Sequence, residues 1–186
     1  EGNTISTAEL SFSMLMAVAR NIPQADAHVK KGEWKRNRFQ GSELNGKTLG
    51  VVGFGRIGRE VAKRAAAFNM KIMVFDPFIS KEAVKEWPVE FVDVPTLLKN
   101  SDFVTFHTPL TAETRNLLNK ETFKLCKKGM RIVNCARGGI VDEAALTEAL
   151  QSGQIAGAAF DVFVGEPPPA DHPLLKLPQF ICTPHL

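Results

Sequence analysis

Three side chains in this chain of 186 residues are suited to moving a proton and gripping an anion: Arg137, Glu166 and His185. An imidazole exchanges a proton near neutral pH, so His185 can serve as an acid or a base. A neighbouring carboxylate such as Glu166 would hold its tautomer. Arg137, inside Cys135-Ala136-Arg137-Gly138-Gly139, offers a planar fork that matches a carboxylate. A base, an orienting acid and a carboxylate clamp facing a nicotinamide would make a site for oxidising a 2-hydroxy acid. Each residue also has a plainer reading: a solvated histidine, a surface arginine in a glycine turn, and a loop charge.

What could bring a nicotinamide there is the stretch LGVVGFGRIGREVAKRAAAF, residues 49–68. A short apolar run leads into Gly53, Gly55 and Gly58, spaced G-x-G-x-x-G. A helical pattern follows, with Ile57, Val61, Ala62 and Ala65 on one face. This is the strand–turn–helix context of a dinucleotide-binding turn. Gly53 permits the tight turn, Gly55 lets a pyrophosphate approach the backbone, and Gly58 lets helix and strand pack closely. The helix start then presents N–H groups and the positive end of its dipole to phosphate. Asp76 stands eighteen residues beyond Gly58, before Pro77. A carboxylate there can accept from both ribose hydroxyls and would repel a 2′-phosphate, which points to NAD rather than NADP.

These groups must be positioned by the rest of the chain. Strands are expected at 48–52, 71–75, 90–92, 103–106, 130–134, 155–160 and 180–182. Helices are expected at 56–68, 81–86, 94–100, 119–126 and 142–151, the last capped by Asp142 and stopped by Gly153. Before them, residues 3–22 read as one long helix, capped by Thr4 or Ser6 with Glu9 completing a capping box. It is apolar on every face, which fits either a central core helix or a helix shared with a partner subunit. A short helix over 25–31 stops at Gly32; 35–45 and 166–178 read as loops. Apolar strands alternating with helices predict a doubly wound, Rossmann-type parallel α/β sheet. The residues just after the strands are then the glycine turn, Asp76-Pro77, His107-Thr108-Pro109, Cys135-Ala136-Arg137, Asp161 with Glu166 beyond it, and Pro184-His185. Ligands of such sheets bind outside the carboxyl ends of the strands.

Composition narrows the remaining classes. The chain is 44% hydrophobic and 23% charged, enough for one sizeable core. The net charge is only +3, and the densest basic group, Lys30, Lys31, Lys35, Arg36 and Arg38 around Trp34, reads as a solvated surface rather than a nucleic-acid patch. No apolar run is long enough to span a membrane, and no secretory signal is recognisable. Three cysteines without C-x-x-C spacing suggest reduced thiols and a cytoplasmic setting. No His, Cys and carboxylate set has metal-ligand spacing, and there is no G-x-S-x-G nucleophile elbow. His28 and His172 are expected to be exposed. The chain begins with Glu1 rather than Met, so a segment of a longer protein is expected.

The segments GFGRIGREVA, FDP, HTPLTAETRNLLN, NCARGGIVDEAAL, GAAFDVFVGEPPP and TPHL follow one another as in the D-isomer-specific 2-hydroxyacid dehydrogenases. The resemblance covers nearly the whole chain. It implies that Arg137 binds substrate, that His185 is the catalytic histidine and that Glu166 is its paired acid. It implies that Arg56 and Ile57 give backbone contacts to the pyrophosphate, and that Asp76 binds ribose. Thr108, Cys135 and Ala136 would line the cofactor, and Asp161 would hold the nicotinamide carboxamide. The long first helix resembles the family's dimerisation element, implying a homo-oligomer. The family also has a substrate domain built from chain on either side of this segment, so residues 1–186 are expected to be one NAD-binding domain carrying half of a cleft for a small-molecule substrate. GNTISTAEL, WKRNRFQGSELNGKTLG and VNCARGGIVDE are most similar to a member that oxidises a phosphorylated 2-hydroxy acid. A glyoxylate or hydroxypyruvate reductase, and an NAD(H)-sensing corepressor on the same fold, remain as alternatives. The GNT opening and the loop 34–41 favour the enzyme.

Overall fold

A computed structural model describes residues 2–186. Seven strands form one sheet: β1 Thr48–Val52, β2 Lys71–Phe75, β3 Glu90–Phe91, β4 Phe103–Phe106, β5 Met130–Asn134, β6 Ile155–Phe160 and β7 Phe180–Cys182. The order across it is β3-β2-β1-β4-β5-β6-β7, and every neighbouring pair is parallel. The chain therefore starts at the middle, winds out to β3, and crosses to β4 on the other side of β1. The order reverses between β1 and β4, where a doubly wound sheet opens its ligand crevice.

Register fixes what leaves the sheet together. Val52 is level with Phe75 on one side and Phe106 on the other. Asn134 is level with Phe106 and Phe160, and Phe160 with Cys182. Gly53, Asp76, His107, Cys135, Asp161 and Thr183 are thus the next residues out, side by side along one edge.

The described residues form six helices, α1 Thr4–Arg20, α2 Ile22–Lys30, α3 Arg56–Ala67, α4 Val94–Asn100, α5 Lys120–Phe123 and α6 Glu143–Ser152, and all but α2 contribute to the cores on the sheet's two faces. Strand side chains alternate between faces, and β1 shows the result. Leu49 and Val51 join a core with Leu15 and Val18 of α1 and Val61 and Ala65 of α3. Val52 joins the opposite core, with Leu97 and Leu98 of α4, Phe123 of α5 and Leu146 and Leu150 of α6.

The N-terminal region departs from expectation in two ways. The helix does not run to residue 22: Asn21 takes a left-handed conformation (φ 54°), its N–H closes on the Ala17 carbonyl, and α2 starts anew with Pro23 in its first turn. Asparagine tolerates that conformation better than most residues. The apolar pattern ran on only because Ile22, which is exposed, kept it going. No capping box forms: Asn3 is the N-cap without a side-chain cap bond, Ser6 Oγ donates to the Asn3 carbonyl, and Glu9 lies 3.5 Å from Arg64 of α3. Of the two readings of α1, the core reading holds on one face, which packs on α3, β5 and β6. Ile5 stays exposed.

Smaller corrections follow the hydrogen bonds. The helix expected at 119–126 is only Lys120–Phe123; the capping box forms here, between Asn119 and Thr122. The expected third strand shortens to two residues. Single 3-10 turns occupy Arg36–Phe39, Lys81–Val84 and Pro173–Lys176. His28 is buried and accepts the Lys35 N–H, and His172 is half-buried against Glu143. Neither is the exposed histidine expected.

Leu15 anchors α1 and is 1% exposed. Leu15→Ala is expected to cost about 3 kcal/mol in denaturant unfolding; a loss below about 1 kcal/mol would mean that α1 is not part of this chain's own core.

Candidate active site

The glycine turn after β1 is shaped by two different demands. Gly53 has φ +96°, and a Cβ there would lie 2.3 Å from the His107 carbonyl oxygen. The turn rests on the exit of β4, and only glycine fits. At Gly58 a Cβ would fall 2.1 Å from the Gly53 oxygen, so α3 sits directly on the strand end. Gly55 is different. Its φ is −76°, open to any residue, and an added Cβ would meet nothing within 4 Å. Packing does not require glycine at 55, although glycine suits the N-cap that it forms for α3, and the bare backbone leaves room for close approach of a ligand. Arg56 and Ile57 open α3 just beyond it, and the first-turn N–H groups of a helix lack acceptors within the helix.

Asp76 holds this turn in place. It is buried; one carboxylate oxygen accepts the Phe54 N–H at 2.7 Å and the other accepts the Phe78 N–H at 2.7 Å. A carboxylate has about four acceptor positions, so two remain for hydroxyl donors. Pro77 carries the chain away between these two bonds. Arg59 secures the far side: its Nε donates to the Phe54 carbonyl, and its guanidinium lies 5.5 Å from the Phe54 ring and 5.4 Å from the Trp87 ring.

At the end of β4, the His107 Nε2 is 2.9 Å from the Thr105 hydroxyl. Its Nδ1 and the Thr108 hydroxyl are buried with no hydrogen-bond partner among the described residues. Burial pushes the His107 pKa down to about 3, so the ring is neutral. A buried polar atom left unpaired costs about 1–3 kcal/mol, and here two adjoin the glycine turn at the sheet's switch point. A polar ligand seated in this crevice would supply partners for both. Pro109 is committed to its own loop, where its carbonyl accepts from Thr114.

The exit of β5 is built by Asn134. Its side chain accepts the Ala136 N–H at 3.1 Å and donates to the Arg137 carbonyl at 3.0 Å, tying the loop into a tight turn. Cys135 packs into the core beneath α1, and burial pushes its thiol up to about 12. It is inert as a nucleophile and can offer a ligand only its backbone. Arg137 is exposed and spends one N–H on the Ala136 carbonyl, at 2.6 Å. Gly138 explains how the arginine reaches the acid: a Cβ there would lie 2.0 Å from the Phe163 carbonyl oxygen, so the two loops are pressed together.

Glu166 and His185 meet at 2.7 Å, Oε2 to Nδ1. The other carboxylate oxygen accepts the Phe163 N–H at 3.0 Å. The hydrogen bond from His185, then that from Phe163, and the charge of the nearby Arg137 hold the Glu166 carboxyl below its usual range. An ionised Glu166 makes Nδ1 the protonated nitrogen, leaving Nε2 as the proton acceptor. His185 itself sits in a left-handed conformation (φ 56°), on a turn clasped by Asp161. Asp161 Oδ1 accepts from the Thr183 hydroxyl and the Leu186 N–H, leaving Oδ2 without a donor among the described residues.

All the positions expected from the sequence therefore lie along one edge, and Arg137, Glu166 and His185 come together as a group. The residues that hold them were missed: Arg59, Asn134, Thr183, Glu143 and His172. Asn134 was legible in principle, as a polar residue closing an apolar strand. Thr183, Glu143 and His172 act on partners 21 to 29 residues away, and Arg59 ties Phe54, five residues back, to the distant Trp87. Among the described residues no group of three His, Cys, Asp or Glu could hold a metal ion, and no helix is long and apolar enough to cross a membrane.

Fold and site together define a dinucleotide-binding domain with an acid–base pair at the mouth of its crevice. The chain belongs to the D-isomer specific 2-hydroxyacid dehydrogenases, and residues 12–186 match the NAD binding domain of that family. It is 56% identical, over 185 residues, to a D-3-phosphoglycerate dehydrogenase of Bacillus subtilis, matching 100% of this chain and 35% of that protein. The chain thus spans about a third of the curated relatives it matches. Among solved structures, an NAD-dependent formate dehydrogenase from Staphylococcus aureus in complex with NAD superposes with a TM-score of 0.91 at 39% identity, over 98% of this chain and 55% of that one. A glyoxylate reductase from Paecilomyes thermophila gives 0.89 at 34% identity, over 98% and 56%.

Two measurements check this geometry. Gly55→Ala should change stability by less than about 1 kcal/mol and weaken NADH binding by about tenfold or more, read by calorimetric titration; unchanged affinity would show that nothing approaches the turn closely. Because His107 is neutral in the native state but protonates when unfolded, stability should fall as pH drops below about 6.5, by about 2 kcal/mol between pH 7 and pH 5 from this group. His107→Gln should remove that part of the slope in denaturant titrations at the two pH values.

Proposed function

We propose that this chain is the cofactor-binding domain of an enzyme that oxidises 3-phosphoglycerate to 3-phosphohydroxypyruvate with NAD, the first committed step of serine biosynthesis. The observation that carries the reading is the Glu166–His185 pair at 2.7 Å, beside Arg137, on the edge that holds the glycine turn. The substrate is assigned from the curated relatives, which bear that activity in their name and match this chain from end to end at 54–56% identity. The rest of such an enzyme, about two thirds of the relatives' length, would supply the other wall of the cleft and the cations for the substrate phosphate. The exposed side of α1 is the proposed contact with a second copy, and the three free thiols suit a reducing, cytoplasmic setting.

In this reading Asp76 receives the adenosine ribose hydroxyls, and the Gly55 backbone and the start of α3 receive the pyrophosphate. Thr108 and the backbone of Cys135 and Ala136 line the crevice, and Asp161 Oδ2 holds the carboxamide. NAD held there would supply the acceptor for the hydride that leaves C2 of the substrate. Arg137 grips the substrate carboxylate and polarises the C2 oxygen. His185 Nε2 removes the hydroxyl proton as the carbonyl forms, and Glu166 steadies the imidazolium that results. The charges balance: one proton rests on His185, and two electrons leave with the hydride.

In the full-length enzyme, His185→Ala should lower kcat for 3-phosphoglycerate by about 10²–10⁴-fold with NADH binding retained. Glu166→Gln should lower it by about 10²-fold, because an amide cannot stabilise the imidazolium. Formation of NADH followed by absorbance checks both. An unchanged rate in His185→Ala, or a wild-type enzyme inactive on 3-phosphoglycerate but active on glyoxylate, would overturn the assignment.

A further inference from the structure

A second glutamate–histidine pair stands behind the first. Glu143 opens α6, where the helix dipole favours a carboxylate. Its Oε2 lies 3.0 Å from His172 Nε2, and its Oε1 accepts the Val164 N–H at 2.8 Å. His172 Nδ1 accepts the Leu174 N–H at 3.1 Å, so that nitrogen carries no proton and Nε2 donates to Glu143. The imidazole also packs edge-on against the Phe163 ring, with centroids 5.9 Å apart.

The two pairs share one piece of backbone. Phe163 gives its N–H to Glu166, and the next residue, Val164, gives its N–H to Glu143. Phe163 is buried in the core and lies against Gly138, but beyond it Val164, Gly165 and Glu166 are all exposed, and exposed backbone opens more easily than buried backbone. Exposure separates the two pairs. The Glu143 and His172 side chains are 13% and 17% exposed, against 37% and 52% for Glu166 and His185. The inner pair is shielded and tied to a helix; the outer pair opens toward the cleft.

We infer that Glu143 and His172 are positioning residues, which hold the loop 163–166 so that Glu166 meets His185 in the orientation proton transfer needs. This rests on the reading of Glu166 and His185 given above. Glu143 supplies the anchor at the start of α6. His172 fixes the Glu143 carboxylate from behind and Phe163 from the side. Neither residue touches the substrate; both act through Glu166.

A double-mutant cycle in the full-length enzyme tests this. His172→Ala and Glu143→Ala should each lower kcat by roughly tenfold with KM for NAD unchanged, and His172→Gln, which keeps a donor at the Nε2 position, should recover most of the loss. In a Glu166→Gln background, His172→Ala should cost less than about twofold. An equal loss in both backgrounds, or a rise in KM for NAD that accounts for it, would overturn the inference. Amide hydrogen exchange of the 186-residue chain gives a readout independent of turnover. His172→Ala should speed exchange at Phe163, whose acceptor is Glu166, by roughly tenfold, and His172→Gln should restore it. A wild-type enzyme that oxidises no 2-hydroxy acid would end the functional reading alone; unchanged exchange at Phe163 would end the positioning claim.

Discussion

The register of the parallel ladder is the constraint on which everything chemical in this molecule depends. Val52, Phe75, Phe106, Asn134, Phe160 and Cys182 stand level across six strands, so the residues that follow them emerge together. A shift of one residue in any strand would exchange its two faces. It would take Val51 and Val52 into the wrong cores, and displace Gly53 from the His107 carbonyl on which its turn rests. The hydrophobic cores on the two faces of the sheet thus enforce the line of polar groups along its edge. Burial and site geometry are the same constraint seen from two ends.

Register alone brings the loops near one another; carboxylates and one amide give them shape. Asp76 binds two backbone N–H groups around the glycine turn, Asn134 folds the loop that presents Arg137, and Asp161 clasps the turn that presents His185. Each sits at the last strand residue or the first beyond it, and each is buried. Charge-assisted bonds from carboxylate to backbone N–H are among the stronger ones in proteins, and in buried surroundings they leave little room for alternatives. The same logic extends outward through Glu143 to the Glu166 loop. Arg137, Glu166 and His185 are exposed, and their supports are mostly buried.

Much of this was legible in the residues alone, for identifiable reasons. The strand and helix pattern was readable because parallel strands buried on both faces are continuous apolar runs, and six of seven strands matched the expected bounds. The glycine spacing was readable because it is local, and Asp76 because it ends the second strand at a set distance from it. The long first helix was misread at its end, since Ile22 continues the apolar pattern while Asn21 supplies a left-handed stop that periodicity does not detect. The capping box was expected at α1 and formed at α5, because capping depends on backbone geometry that a short motif leaves open. His28 and His172 looked like solvated charges; the partners that bury them, Phe39 and Glu143, lie 11 and 29 residues away. Asp76 and Asp161 were read as ligand groups, and the hydrogen bonds they make in this structure brace the turns on which they stand. Long-range side-chain ties of this kind carry no local signal.

The central claim is that the carboxyl edge of the sheet seats NAD with its nicotinamide facing His185. A crystal structure of this chain with NADH tests it most directly. The account predicts the pyrophosphate against the Gly55 backbone at the start of α3, the adenosine ribose on Asp76, and the reactive face of the nicotinamide open toward His185 Nε2 with Glu166 still on Nδ1. A cofactor seated away from the glycine turn, or a nicotinamide turned from His185, would contradict it.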